Sequence, residues 1–486
     1  MSKLEIADRS LDTESAEPER FERACVLLVA YHFAPENAAG THRSLHFARS
    51  LHDNGYRVHV VSAPEGYART TDPGLSNVFP FPDRIVRVGY GLTLGGLYLR
   101  LKRRIPRPPA GEPRTERAPA ASGGTIRKDG NLLARLRMHL SAWDALPDQQ
   151  RAWFGPAVRA GLELGRRERI DAVFASAPPW TGLRVAAKLS RKLRTPLIVD
   201  FRDPWTARTG RQTRYAADWC HKIAETWEKR VLERASLALF NSPQVMQAAQ
   251  DHYETLETGR VLTIPNGSDA PRREVESPIP PSPPLHFRHF GTLYLGRSVT
   301  PLVRALQRLV ERGVIEAGDV SVDLFGRVPE ESKRLASLSS NPIHVETRTR
   351  LPYSDALALM MEPAILVVSQ PAIVSRQIPT KLYDYLCTGN PVLVIAPERS
   401  AVWSLARTFP GCWRIEHADT EENTEALGSL LERWRSGCLV QRRTVEDTAS
   451  LTKAALGEVF VSAIQELLAV DGQSVDGQSV DGQSVD

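Results

Sequence analysis

Continuous apolar runs alternate along this chain with stretches whose apolar positions recur every three or four residues. The runs fit parallel strands covered on both faces, and the stretches fit amphipathic helices. Ala24–Ala30 is the first run. Leu45, Ala48 and Leu51 then mark the apolar face of a helix that starts near Thr41 and stops at Asn54-Gly55, before a second strand over Tyr56–Ser62. Further strands are predicted at Asp171–Ser176, Leu197–Val199, Leu237–Phe240 and Arg260–Ile264, with one helix ending near Leu193 and another over 215–234. The alternation resumes with strands at His286–Phe290, Val320–Phe325, Ile343–Val345, Ala364–Ser369 and Val392–Ile395. Helices are expected from about Val299, over Ser354–Met361, over 420–436 and over about 444–469. Strand–helix alternation repeated twice predicts an α/β protein with two doubly wound sheets. A chain of 486 residues also exceeds what one core usually holds.

The breaks in this pattern mark the boundaries. Residues 1–22 are polar and read as a disordered leader without the apolar stretch of a signal peptide. Six prolines between Pro271 and Pro284 make 271–285 a semi-rigid linker. The domains are therefore expected at 23–270 and 286–440, with a C-terminal helix over 441–469 and a low-complexity, disordered tail over 470–486. Residues 91–130 interrupt the first domain with leucines, then Lys102-Arg103-Arg104, then a Pro-rich stretch. Two readings fit this insertion. One is a peripheral membrane contact through leucines and basic residues; the other is a solvated insertion beside a core helix.

Charge sharpens the picture. The net charge is +5, yet residues 100–140 alone carry eleven Lys/Arg against three Asp/Glu, so the remainder is near −3. Positive charge confined to one insertion does not fit a nucleic-acid coat. The five cysteines (25, 220, 387, 412 and 438) are scattered, without metal spacing. They fit reduced structural thiols in a cytoplasmic protein.

The most informative stretch is Ile378–Ile395. Pro379 suits a helix start, Gly389 a left-handed helix end, and Pro391 a stop before the buried run Val392–Ile395. Lys381 and Asp384, three residues apart, are expected on one face of that helix. The unit places a carboxylate, an amine and a helix N-terminus at the edge of a buried sheet, where α/β proteins bind ligands.

Ile378–Ile395 resembles the P-x-K-L-x-E-Y-x-x-x-G-x-P-V segment of the GT-B glycosyltransferases of family 4. Further segments resemble the same family: Pro35-Glu36 to Gly40, Pro147-Asp148 with Trp153, Ser176 to Pro179, Asp200 to Trp205, and Pro265-Asn266-Gly267-Ser268-Asp269. The resemblance implies two Rossmann-like domains facing across a cleft and retaining transfer of a sugar from a nucleotide-sugar donor, a hexosyltransferase-type activity (EC 2.4). It implies that Asp384 holds the donor ribose. Arg297 and Lys381 would be the catalytic cations on the diphosphate, with Gly40, Gly291, Thr292 and Gly326 completing the donor contacts. Asp200, Arg202 and Asp203 would line the acceptor side. Thr292 stands where the family usually has Arg, and Arg376 where it often has a second acid. Pro265–Asp269 is read as a fold marker, and Pro147-Asp148 and Trp153 mainly as structural. No dedicated metal, no cofactor beyond the nucleotide-sugar co-substrate and no general base are expected. The acceptor, which could be lipid-linked, is not identified. A nucleotide-sugar epimerase and a non-catalytic GT-B subunit are the competing readings.

Overall fold

The computed structural model describes residues 24–67, 71–91, 142–143, 146–206, 218–253, 256, 258–271, 279–328, 341–439 and 444–476. The leader, nearly all of the basic insertion, residues 272–278 of the linker and the last ten residues lie outside them. The chain divides into two compact units. The N-terminal unit draws on Ala16–Phe240, Met246–Thr263 and the chain from Gly457; the C-terminal unit draws on Asn241–Val245 and Ile264–Leu456.

In the N-terminal unit seven parallel strands lie in the order β3-β2-β1-β4-β5-β6-β7. They are β1 (Cys25–Val29), β2 (Arg57–Ser62), β3 (Ile85–Arg87), β4 (Ala172–Ala177), β5 (Leu197–Phe201), β6 (Leu237–Phe240) and β7 (Val261–Thr263). Helices α1 (Ala39–Asp53), α2 (Phe154–Arg167), α3 (Trp180–Leu193), α4 (Asp218–Arg234) and α5 (Pro243–His252) connect them. All five residues of β1 are buried, as its unbroken apolar run requires of a central parallel strand. Asp148 caps α3 through Thr181 N at 2.9 Å and Thr181 Oγ1 at 2.6 Å, and Trp153 is fully buried with Nε1 donating to Val88 O.

The C-terminal unit holds six parallel strands in the order β10-β9-β8-β11-β12-β13. These are β8 (Leu285–Phe290), β9 (Val320–Phe325), β10 (His344–Arg348), β11 (Ile365–Ser369), β12 (Val392–Ile395) and β13 (Cys412–Ile415). Its helices are α6 (Thr300–Glu311), α7 (Tyr353–Met360), α8 (Thr380–Cys387), α9 (Ala401–Ala406) and α10 (Glu421–Arg435). Alternate residues of one strand feed two cores. Leu393 and Ile395 join the cluster with α6 and α10, whereas Val392 and Val394 join the cluster with α8 and α9.

Several expectations are corrected. β3 and β13 do not stand out in the sequence because each is a short edge strand carrying a half-buried arginine, Arg87 or Arg414, so neither forms an apolar run. The Pro265–Asp269 turn belongs to the C-terminal unit, because Ser268 bonds Asp384 and Leu451 there. The final helix, α11, spans Lys453–Asp476 and so runs into the repetitive tail. No proline stops it, and Gly472 costs only about 1 kcal/mol relative to alanine. Within the N-terminal unit its Phe460 stacks 4.2 Å from Phe47 and 5.0 Å from Phe174.

Candidate active site

The strand order of the C-terminal unit reverses between β8 and β11, and their connections leave in opposite directions and open a crevice. β8 runs into Gly291 and β9 into Gly326, with φ of +101° and +138°. A Cβ on Gly326 would lie 2.6 Å from Gly291 O, and a Cβ on Gly291 would lie 3.1 Å from Lys381 Nζ. Glycine is required at both because the two strand ends and the lysine meet there without room for a side chain.

Lys381 sits in the first turn of α8, and its Nζ is 3.2 Å from His289 Nε2. His289 Nδ1 donates to Val367 O at 2.8 Å, leaving Nε2 to accept from the ammonium. Burial, then the charge of Lys381, holds His289 well below the ordinary imidazole range. Burial, then Arg297, brings Lys381 down to about 7. Arg297 is buried too. Its Nε donates to Gln370 Oε1 at 3.1 Å, and its guanidinium lies 4.4 Å from the centre of the Tyr294 ring. Gln370 in turn donates to Val374 O and Gln377 O, pinning the loop before α8. Among the described residues neither Lys381 nor Arg297 has a carboxylate partner, and no side chain caps the N-terminus of α8. Two desolvated cations and an open helix end make a cradle for an anion. Thr292 is exposed and its side chain makes no hydrogen bond among the described residues.

Asp384 is buried. Its Oδ1 accepts from Ser268 Oγ at 2.6 Å and from Tyr353 OH at 3.2 Å, and burial raises it to about 6. It does not pair with Lys381. Positions three apart differ by only about 60° around the helix and about 4.5 Å along it, yet the amine reaches His289 of β8 and the carboxylate reaches Ser268. Ser268 and Tyr353 are thus site residues that the sequence reading missed. Ser268 lies in the turn read as a fold marker, and Tyr353 is a half-exposed aromatic at a helix start, a position with no chemical signature.

In the N-terminal unit Gly40 is the second residue of α1, and a Cβ there would lie 2.5 Å from the Arg202 guanidinium. Arg202 also donates to Pro178 O, and Asp203 beside it is half-buried. Asp200 does not line an open surface, which corrects its acceptor-side placement. It is fully buried, and its carboxylate accepts two bonds from Arg43, each 2.8 Å, and one from Ser176 Oγ at 2.6 Å. The acid anchors α1 and β4 to β5. The following loop is held by Trp205 stacked on Trp180 and by Thr206 bonded to Glu228, which burial raises to about 7.

Each unit also has a concave region whose lining includes none of these groups. One of about 590 Å³ borders Gly296, Ser298, Arg304, Ile373, His417 and Asp419 in the C-terminal unit. Another of about 1230 Å³ borders Arg87, Tyr90, Trp143, Arg151, Arg184 and Trp227 in the N-terminal unit. Possible metal ligands gather at Cys25, His59 and Glu168, where His59 and Arg57 already pair with the glutamate. Among the described residues no helix is long and apolar enough to cross a membrane.

Two doubly wound parallel sheets, one in each unit, are the GT-B fold. Residues 39–267 match the family model of the glycosyl transferase 4-like domain. Solved structures of the same fold include sucrose-phosphate synthase from Thermosynechococcus elongatus, with 14% identity over 94% of this chain and 99% of that one and a TM-score of 0.52. The trehalose 6-phosphate synthase of Burkholderia multivorans shares 11% identity over 95% and 100%, with a TM-score of 0.53. A protein of Listeria monocytogenes described as a UDP-N-acetylglucosamine 2-epimerase shares 10% identity over 92% and 97%, with a TM-score of 0.50. At these identities the likeness concerns the fold. No curated protein matches the sequence.

Proposed function

We propose that this chain transfers a sugar, with retention, from a nucleoside diphosphate donor to an acceptor hydroxyl. It would act in polysaccharide, glycolipid or glycoconjugate biosynthesis, in the cytoplasm or peripherally at the inner face of the membrane. The carrying observation is the pair of desolvated cations, Lys381 and Arg297, beside the open N-terminus of α8. As the anomeric carbon–oxygen bond breaks, negative charge grows on the departing diphosphate. Fixed cations and helix N–H groups stabilise that charge more than they stabilise the bound donor, and so lower the barrier. Asp384, oriented by Ser268 and Tyr353, accepts from the ribose hydroxyls through its remaining lone pairs. Arg202 and Asp203 are the acceptor-side groups of this reading, and Gly40 makes room for the Arg202 guanidinium beside the start of α1.

A thermal-shift screen over UDP-, GDP-, dTDP- and ADP-sugars tests the assignment. One donor at about a hundredfold over its Kd should stabilise the protein by about 2.7 kcal/mol. That corresponds to a rise in Tm of several degrees. Asp384→Ala and Arg297→Ala should each lose the shift. A donor-induced shift that persists at full size in both variants contradicts the site.

A further inference from the structure

The N-terminal unit holds a positively charged cavity that the donor cradle does not use. The concave region of about 1230 Å³ runs along α2, and among its described lining residues five arginines (87, 151, 159, 167 and 184) face one acid, Glu163. Glu163 already pairs with Arg167, and Arg87 pairs with Glu65. Arg184, half-buried on α3, makes no hydrogen bond or ion pair among the described residues. Its guanidinium lies 3.5 Å from the centre of the Trp227 ring and 5.1 Å from that of Phe154. Two aromatic side chains therefore fix its plane while its N–H donors stay unused. The acid whose charge reaches it, Asp148, is committed to Thr181 and to the Gln150 N–H. Burial, then the charge of Arg151, brings Arg184 down to about 10. Cations gathered in a half-enclosed cavity with too few acids are complementary to an anion.

The remaining wall describes the other half of a ligand. Pro156, Ala160 and Leu164 recur every four residues on α2 and line the cavity as an aliphatic stripe. The stripe is about 12 Å long. The two tryptophans beside it are not open platforms for a nucleobase. Arg184 covers Trp227, and Arg151 lies 4.2 Å from the centre of the Trp143 ring, which also stacks on Trp219. The indoles hold guanidinium groups, and the aliphatic stripe is what a ligand body would touch.

We propose that this cavity binds a phosphate ester of an aliphatic chain, with the phosphate beside Arg184 and Arg151 and the chain along Pro156, Ala160 and Leu164. A stacked guanidinium offers paired donors in one plane to phosphate oxygens. Each methylene laid on the stripe leaves water and adds affinity. The site lies wholly within the N-terminal unit and needs nothing from the donor cradle.

Isothermal titration with decyl phosphate, inorganic phosphate and decyl maltoside tests this on the full chain. Decyl phosphate should bind saturably, one molecule per chain, and at least tenfold more tightly than either comparison. Arg184→Leu should weaken decyl phosphate about ten- to a hundredfold, as loss of charge-assisted hydrogen bonds does. Arg184→Lys keeps the charge without the planar fork and should fall between the two. Leu164→Asp places a carboxylate on the stripe and should weaken decyl phosphate about tenfold or more. Melting curves check that each variant folds; if Arg184→Leu does not, Arg184→Lys and Leu164→Asp decide. Equal affinity for decyl maltoside overturns the anion site, and equal affinity for inorganic phosphate overturns the chain groove. Wild-type decyl phosphate binding in folded Arg184 variants overturns the assignment to this cavity. Sedimentation with phosphatidic acid vesicles, against phosphatidylcholine vesicles, separates the sources of such an ester. Sedimentation lost in Arg184→Leu assigns the ester to a bilayer, and none in wild type assigns it to a free molecule.

Discussion

Replacing Lys381 with alanine is expected to lower kcat for donor turnover by about 10²–10³, the usual effect of losing one preorganised group at a developing oxyanion. The amine is desolvated, faces Gly291, and stands beside a second cation without a carboxylate to neutralise it. Such an arrangement is costly in the free protein and becomes favourable when an anion arrives. The pH dependence carries a sign. In the free protein Lys381 titrates near 7, and a bound diphosphate favours the ammonium and raises that value. Donor affinity should therefore be greatest below about pH 7 and fall as pH rises through and above it. Lys381→Ala should abolish that slope, whereas Lys381→Arg, which stays charged, should flatten it while retaining affinity. Isothermal titration across pH 6–9 reads both effects. An unchanged slope in Lys381→Ala assigns the titration to another group.

Arg43→Leu is expected to lower the unfolding free energy by about 3–5 kcal/mol, the range for breaking a buried ion pair from one side. Arg43 is 6% exposed and grips a fully buried Asp200 through two bonds of 2.8 Å. Without it Ser176 alone of these hydrogen-bond partners remains on the carboxylate, and only the charge of Arg202 still acts on it. Pairing Arg43→Leu with Asp200→Leu should recover much of the loss, because no unpaired charge is then left inside. Denaturant midpoints of the single and double variants measure this. A single-variant loss below about 1 kcal/mol contradicts the view that this pair ties α1 to β5.

Much of the fold is legible in the chain. β6 and β12 lie where their apolar runs place them, because a strand covered on both faces is expected to be apolar throughout. Edge strands escape that rule, which hides β3 and β13. The site is legible in its charges and less so in their partners. Lys381, Arg297 and the two strand-end glycines converge at one sheet edge, since each follows a recognisable strand or opens a helix. His289 looks like an ordinary strand residue, and only β8–β11 pairing brings it beneath Lys381. Ser268 reaches Asp384 across 116 residues of chain, and Arg43 reaches Asp200 across 157. Contacts this distant leave no local pattern, so the acid that seemed acceptor-facing proves to be internal.

The central claim is that a sugar diphosphate is held at the switch point between β8 and β11. A crystal structure of the protein with the donor that shifts its melting most tests this directly. The diphosphate oxygens should lie within hydrogen-bond distance of Lys381 Nζ, Arg297 and the first N–H groups of α8, with the ribose hydroxyls on Asp384. Donor density elsewhere, with these groups still facing only one another, would contradict it.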